Sequence, residues 1–443
     1  MIGDISGAIS ESARDIPGVL FMGIDIGTTS ISAAVTNGED TVTFSVPNGC
    51  SLPVKENIYE QNANGIFIRV KEFADRLLDR YPSIRRVGFD GQMHGIVYTD
   101  RSGTAISNLV TWQDGRGDLP LPSGESACEK IYRLTGRKIY TGYGLATYLY
   151  DSEYGRIPDG ASSFCTIGDY AVMRLCGNER PLIHPTNAAS LGLFDIRNGC
   201  FDKEAVSYVG LDPDMLPEVS QTVRSAGEYR GVPVNIAVGD NQAAYYGVMP
   251  DGGVLCNFGT GSQVSVSVDS YMSVPGVECR PYFNGKYLLS GSALCGGRAY
   301  ALLERFFREY TKSPDPQYKR LDELAAKGYA GGTALGVSTL FCGTREDPSL
   351  RGCIFGISED NFTPEALAYG FIRGMAGELF GYYKRTGLPA PETVTVSGNA
   401  ARKGETLRRT ISDMFSAEAR VSFVKEEAAC GAALLARDGE DKG

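Results

Sequence analysis

Apolar and polar positions along this chain fall into two rhythms, and their alternation predicts a series of strands and helices. Phe21-Met22-Gly23-Ile24-Asp25-Ile26 is apolar but for one acid, breaks at Gly27-Thr28-Thr29, and resumes as Ser30-Ile31-Ser32-Ala33-Ala34-Val35. That pattern predicts strand, tight turn, strand. Over 61–81 the period changes: Ile66, Ile68, Val70, Phe73, Leu77 and Leu78 predict a helix that stops at Tyr81-Pro82. Strands are predicted over 86–89 and 96–99, and helices over 128–140, 146–157 and 166–175. Residues 184–190 read as a polar segment before a strand at 192–195.

The stretch 231–238 is short, mostly apolar and β-branched, so it predicts a buried strand. Ala243-Ala244-Tyr245-Tyr246-Gly247 suits the first turns of a helix, which puts Asp240 where a strand ends and a helix begins. Residues 252–268 repeat the opening design, with Gly259-Thr260-Gly261 at the turn. Beyond them come a Gly-rich stretch and long helix over 289–307, a loop at 340–348, and an amphipathic helix over 363–384. A strand, glycine turn and helix occupy 394–402, and a final helix, closely packed through Ala429, Gly431 and Ala432, covers 426–435.

At 443 residues the chain is too long for one ordinary core. We expect a loose polar extension over 1–19, a first domain over 20–247 and a second over 248–443. With 42% hydrophobic and 22% charged residues the composition is that of a soluble globular protein. A net charge of -10 argues against a non-specific nucleic-acid surface, though backbone N–H groups and metal ions can still hold small anions. The 11 cysteines form no Cys-x-x-Cys pair and there are only two histidines, so no zinc cluster is expected and the thiols read as reduced, in a cytoplasmic protein. The N-terminus carries no apolar signal core, and no apolar run approaches a membrane span.

Two hairpins of one design, half the chain apart, suggest a duplicated domain whose Gly/Thr turns both serve one ligand. Gly27 lets backbone approach a ligand, and Thr28 and Thr29 offer hydroxyl and N–H groups to phosphate oxygens. Asp25 lies inside an apolar strand, where an unpaired charge is costly; its partner is either a hydrated Mg2+ or an ordinary cationic or backbone group. Asp240 is either a helix cap, worth ~1 kcal/mol, or a carboxylate facing a ligand. Asp90-Gly91-Gln92-Met93-His94-Gly95 sets polar groups on a Gly-bracketed turn suited to substrate contact, the alternative for His94 being a structural role. Trp112, the only tryptophan, is either core or an apolar face for a sugar beside Gln113 and Asp114. His184 reads as structural. The turn at Ser397-Gly398-Asn399 could take phosphates or pass close to an adenine.

Taken together, these stretches resemble the FGGY family of carbohydrate kinases, within the actin/hexokinase/Hsp70 ATPase superfamily. The resemblance rests on Gly23-Ile24-Asp25-Ile26-Gly27-Thr28-Thr29-Ser30, Gly91-Gln92-Met93-His94-Gly95, Thr111-Trp112-Gln113-Asp114-Gly115-Arg116, Asp169-Tyr170, Gly239-Asp240-Asn241, Gly259-Thr260-Gly261, Ser397-Gly398-Asn399-Ala400-Ala401-Arg402 and Cys430-Gly431-Ala432-Ala433, in family order. It implies an α/β fold of two actin-like ATPase (ribonuclease H-like) domains with a central cleft. It also implies ATP and Mg2+ as cofactors and a small-molecule sugar as substrate. Asp240 is implied as the base for the sugar hydroxyl and Asp25 as the Mg2+ organiser. Gly27, Thr28, Thr29, Gly259 and Thr260 would hold phosphates. Gly398, Asn399 and Arg402 would line the nucleotide side, and Gln92, Met93, His94, Trp112, Asp114 and Asn241 would bound the sugar.

Within the family, Gly-Gln-Met-His-Gly is shared by xylulokinases and sedoheptulokinases, while Gln113 and the 341–354 loop resemble the sedoheptulokinase group. The implied reaction is sedoheptulose to its 7-phosphate, with xylulokinase or another sugar or polyol kinase as the alternative. A non-catalytic sugar or ATP sensor is the remote one: the short acidic extension is a poor DNA-binding segment. Two departures stand out. The chain is somewhat short for the family, and Asn399 replaces a usual second glycine at a turn where Asn, tolerant of positive φ, is expected to keep the geometry. Homodimers are common in the family; no surface signal in the sequence speaks for one.

Overall fold

The computed structural model describes residues 14–344 and 347–439. Most of the expected 1–19 extension, and Arg345 and Glu346 of the 340–348 loop, lie outside the described residues. Strand β1 (Leu20–Ile26) pairs antiparallel with β2 (Ser30–Thr36), which pairs antiparallel with β3 (Thr41–Pro47). Helix α1 (Ala63–Arg80) starts where the Asn62 side chain accepts the Gly65 N–H, and it buries Ile66, Val70, Phe73 and Leu77 along one stripe. Strand β4 (Ile84–Gly91) returns parallel to β1.

The longer helices that follow are α2 (Ala127–Thr135), α3 (Gly144–Glu153), α4 (Ile167–Cys176) and α5 (Pro185–Leu191). The helix expected over 128–140 ends early because Gly136 takes φ 67° and closes it in the left-handed conformation. The polar segment at 184–190 is itself helical from Pro185, with the His184 side chain capping the Thr186 N–H. Strands β5 (Ser225–Tyr229), β6 (Val232–Asn235) and β7 (Val238–Gly239) then lead into α6 (Asp240–Val248). The sheet runs β5-β6-β4-β1-β2-β3, with β7 also paired to β4.

A second sheet has the same plan. Strand β8 (Val254–Phe258) forms a hairpin with β9 (Ser262–Val268). Next come β10 (Glu278–Pro281), β11 (Tyr287–Ala293), α7 (Gly297–Thr311), α8 (Tyr318–Ala330) and α9 (Pro364–Arg385). Strand β12 (Thr393–Ser397) runs parallel to β8, and after α10 (Asn399–Lys403) and α11 (Glu405–Phe415), β13 (Glu418–Val421) runs parallel to β12. The order is β10-β11-β9-β8-β12-β13. In each sheet a hairpin strand is flanked on its far side by a parallel strand reached through helices.

By contacts the chain forms two compact units. One comprises residues up to Pro250, Pro281–Gly285 and the residues from Val424 on; the other comprises Asp251–Arg280 and Lys286–Phe423. The last helix, α12 (Glu427–Asp438), therefore belongs with the first unit. It lies on β1 and β4 at backbone distance, because those strands present glycines in register: Gly23 is the partner of Gly88. A Cβ on Gly23 would stand 1.9 Å from the Ala429 carbonyl oxygen, and one on Gly88 2.1 Å from that of Ala432. Among the described residues no helix is long and apolar enough to cross a membrane.

Candidate active site

The parallel strands β1, β4 and β7 end side by side. Ile26 is the partner of Gly91, and Gly91 of Gly239. Each runs straight into a stretch singled out in the sequence: Gly27-Thr28-Thr29 after β1, Gln92-Met93-His94 after β4, and Asp240-Asn241 after β7. Carboxyl ends of parallel strands are where open α/β sheets take their ligands, since side chains there leave the ladder and the following N–H groups are unspent.

Three carboxylates gather at this edge. Asp25 and Asp90 are in-register neighbours on β1 and β4. They lie two residues beyond Gly23 and Gly88, so both point to the face that α12 covers. Asp240 is the first residue of α6; the cap position is Gly239, and no side chain caps the helix there. The capping role weighed for Asp240 is thus not the one its position serves. Burial, then the charge of Asp240, pushes the Asp25 carboxyl up to about 7, against the pull of its contact with Asp90. Asp90 is fully enclosed, and burial followed by the charge of Asp25 holds its carboxyl well above the usual range. Asp25 Oδ1 and both oxygens of Asp90 are buried and, beyond the contact between the two carboxyls, have no hydrogen-bond partner. Unpaired buried carboxylate oxygens are the donor set a hard divalent cation prefers, so these residues fit the implied Mg2+.

Asp90 stands in the candidate turn that the sequence shows, but the sequence reading gives it no role of its own. The signal was present: an acid at the end of an apolar strand, the same feature that singled out Asp25.

A closed ring of hydrogen bonds joins the turn after β1 to the turn after β4. Thr28 Oγ1 donates to Gln92 Oε1 at 3.1 Å, Gln92 Nε2 to Gln61 Oε1 at 2.8 Å, and Gln61 Nε2 to the Thr28 carbonyl at 2.8 Å. Trp112 attaches to the ring, its indole N–H donating to Thr28 Oγ1 at 3.0 Å while 46% of its surface stays exposed. Asn48 Nδ2 holds the Gly27 carbonyl at 2.8 Å, and Thr29 is exposed. Met93 is buried with its sulfur against Gly239, the residue before Asp240. His94 takes φ 73°, stacks on Tyr143 with ring centroids 4.5 Å apart, and donates from Nδ1 to the Ser190 carbonyl at 2.8 Å. That bond fixes the tautomer. Asn241 is half-buried beside Asp240.

Asp114 stands apart from this group. It is fully buried, with Oδ1 accepting from Arg116 Nε at 2.8 Å and Oδ2 from the Tyr59 N–H at 2.9 Å. Arg116 in turn binds Glu60 and Asp151. Both oxygens of Asp114 are engaged by the protein, so it shapes the segment that carries Trp112. His184 is buried, and burial pushes its imidazole down to about 3, which keeps it neutral.

In the second unit, Gly259 and Thr260 form the exposed turn of the β8–β9 hairpin. Their carbonyls accept the N–H groups of Gly297 at 2.9 Å and Arg298 at 3.1 Å, which ties the turn to the start of α7. Gly398 follows β12 with φ 88°, and a Cβ there would stand 2.3 Å from the Phe258 carbonyl oxygen. Only glycine meets both demands. Asn399 is exposed and helical, the first residue of α10, so the positive φ expected of it falls on Gly398 instead. Arg402 Nε donates to the Ser422 carbonyl at 3.2 Å.

The chain matches the FGGY family of carbohydrate kinases, N-terminal domain, over residues 20–247, and the C-terminal domain of the same family over residues 254–437. Human sedoheptulokinase is 27% identical over 94% of this chain and 96% of its own. Xylulose kinase of Staphylococcus xylosus is 24% identical over 95% of this chain and 90% of its own. The crystal structure of xylulose kinase from Rhodospirillum rubrum superposes with a TM-score of 0.82 at 21% identity, over 95% of this chain and 90% of that one. At that likeness the two share one fold, which in this chain is an α/β fold of two sheet-containing units.

Proposed function

This chain belongs to the FGGY family of carbohydrate kinases, ATP-dependent phosphotransferases with an alcohol acceptor, and from that premise we propose that it phosphorylates a ketose, sedoheptulose first, with Asp240 as the general base. The observation that carries the reading is the gathering of Asp25, Asp90 and Asp240 at the ends of three parallel strands, beside the ring that holds Gln92 and Trp112.

Phosphoryl transfer asks a protein chiefly for positioning and for neutralisation of charge. In this reading Asp240 accepts the proton of the attacking hydroxyl. Gln92, Met93, His94 and Asn241 bound the sugar, the exposed Trp112 ring offers it an apolar face, and Asp114 acts by setting that ring in place. Thr28 and Thr29, with Gly27 leaving room, hold phosphate oxygens, as do Gly259 and Thr260. Gly398, Asn399 and Arg402 serve the nucleotide side. Asp25 holds Mg2+, which when bound supplies positive charge to the phosphates. The unpaired state of all the cysteines fits a cytoplasmic protein.

Sedoheptulose is placed first because of Gln113 and the identity to human sedoheptulokinase; D-xylulose is the alternative. A coupled ADP-release assay with ATP and Mg2+, across sedoheptulose, D-xylulose, D-ribulose, L-ribulose, glycerol and gluconate, decides. Leading kcat/KM on sedoheptulose supports the proposal. Leading kcat/KM on D-xylulose keeps Asp240 but moves the substrate. No sugar-dependent ADP release sinks it.

A further inference from the structure

The two units share a hairpin and its parallel neighbour, so each position at the strand ends has a counterpart. Asp25-Ile26-Gly27-Thr28 answers to Asn257-Phe258-Gly259-Thr260. The parallel partner of Asp25 is Asp90; that of Asn257 is Ser397. In the second unit this pair is neutral and self-satisfying, Asn257 Nδ2 donating to Ser397 Oγ at 2.7 Å. In the first unit the same place holds two acids. There Asp25 Oδ1 and both Asp90 oxygens are buried, and beyond the contact between the two carboxyls they have no hydrogen-bond partner.

A pair needed only to join two strand ends has a neutral solution, used by this same chain. A fully enclosed carboxylate beside a half-buried one is a costly replacement for it, by several kcal/mol for an uncompensated buried charge. Their cost is offset when something positive sits between them and solvent. We propose that Asp90 is a second carboxylate of the divalent-cation site, holding the cation jointly with Asp25. Among the described residues no group of three or more His, Cys, Asp or Glu is placed to cage a metal by itself. Two carboxylates suffice for Mg2+, which keeps several waters and takes further oxygens from substrate phosphates. The nucleotide that accompanies the cation rests on the kinase reading above; the binding of the cation is measured apart from it.

The opposing account is that Asp90 only shares a proton with Asp25. An amide at this position would then serve as donor equally well, so Asp90→Asn separates the two. The full chain, saturated with ADP, is titrated with Mn2+ and the free ion is read by its EPR signal. Asp25→Asn is the reference for a lost ligand, and melting in EDTA checks folding. Asp90→Asn is expected to weaken Mn2+ binding by about tenfold or more. A smaller effect, or a parent protein that binds no Mn2+ with ADP, overturns the inference. Should the amide variant fail to fold, Asp90→Ser, which copies Ser397 of the second unit, is judged by the same criterion. Sugar-dependent ADP release by the parent is scored separately. Cation binding through Asp90 with no such release would leave the inference standing and sink the kinase reading.

Discussion

Trp112 and Thr28 are joined by a 3.0 Å hydrogen bond from the indole N–H to Oγ1, and through it the one tryptophan of the chain is tied to the turn after the first strand. A half-exposed ring with its polar edge fixed is a surface against which a sugar can settle without further ordering of the side chain.

Intrinsic fluorescence should therefore report the sugar directly. Titration with the true ketose is expected to shift Trp112 emission to shorter wavelength as the ring loses water. Trp112→Phe keeps the apolar face and drops the bond to Thr28, so it should raise KM more than it lowers kcat. An unchanged KM would remove Trp112 from the sugar side.

Asp240→Asn preserves size and the start of α6, whose cap is Gly239. Loss of the base should lower kcat by about 10²–10⁴-fold. Sugar affinity, read from Trp112 emission, should stay near that of the parent. An active amide variant would end the assignment of Asp240.

Asp169 gives the protein a further pH signature. It is fully enclosed; burial pushes its carboxyl up to about 7, against hydrogen bonds from Thr166 and Asn187. Between the ordinary value of 3.8 and about 7 the folded chain holds a proton that the unfolded chain has released. Stability then falls as pH rises through that window, and the contribution is level above it. Denaturation of Asp169→Asn beside the parent should show the variant gaining ground from about pH 4 to pH 7 and keeping a constant margin beyond. A margin independent of pH would contradict the assignment.

Gly88→Ala should destabilise the first unit by about 1–3 kcal/mol or more, because the new methyl would stand 2.1 Å from the Ala432 carbonyl oxygen and α12 must shift to admit it. Gly381→Ala, within α9 and with nothing inside 4 Å of the added carbon, should instead gain up to ~1 kcal/mol from helix propensity. Urea midpoints of the two variants check both signs.

Much of the fold was legible because its signals are local. The α1 stripe of Ile66, Val70, Phe73 and Leu77 reads off at helical spacing, although Ile68, counted with it, lies 56% exposed on the other side. The paired hairpins were visible as a repeated strand-turn-strand pattern. Longer-range facts were less so. Sequence shows the acid at Asp114 and not the Arg116 side chain that folds back on it. Asp90 is visible in its turn, but its relation to Asp25 is not, because that comes from strand register made across more than sixty residues of chain. The role of Asn399 depended on which residue of a tight turn takes positive φ, and backbone crowding at Phe258 assigned that to Gly398.

Helix α12 closes the face of β1 and β4 from the far end of the sequence, and this inverts the order in which the protein can be completed as it is made. Chain emerges from the ribosome at roughly 5–20 residues per second. The first sheet, its glycine groove and its acids therefore wait through the synthesis of the whole second unit before Glu427–Asp438 appears. The second unit, nearly continuous in sequence, can finish first. A nascent chain stopped short of α12 would expose an uncovered apolar sheet, a natural target for chaperones. A chain truncated before α12 is expected to show no sugar-dependent ADP release.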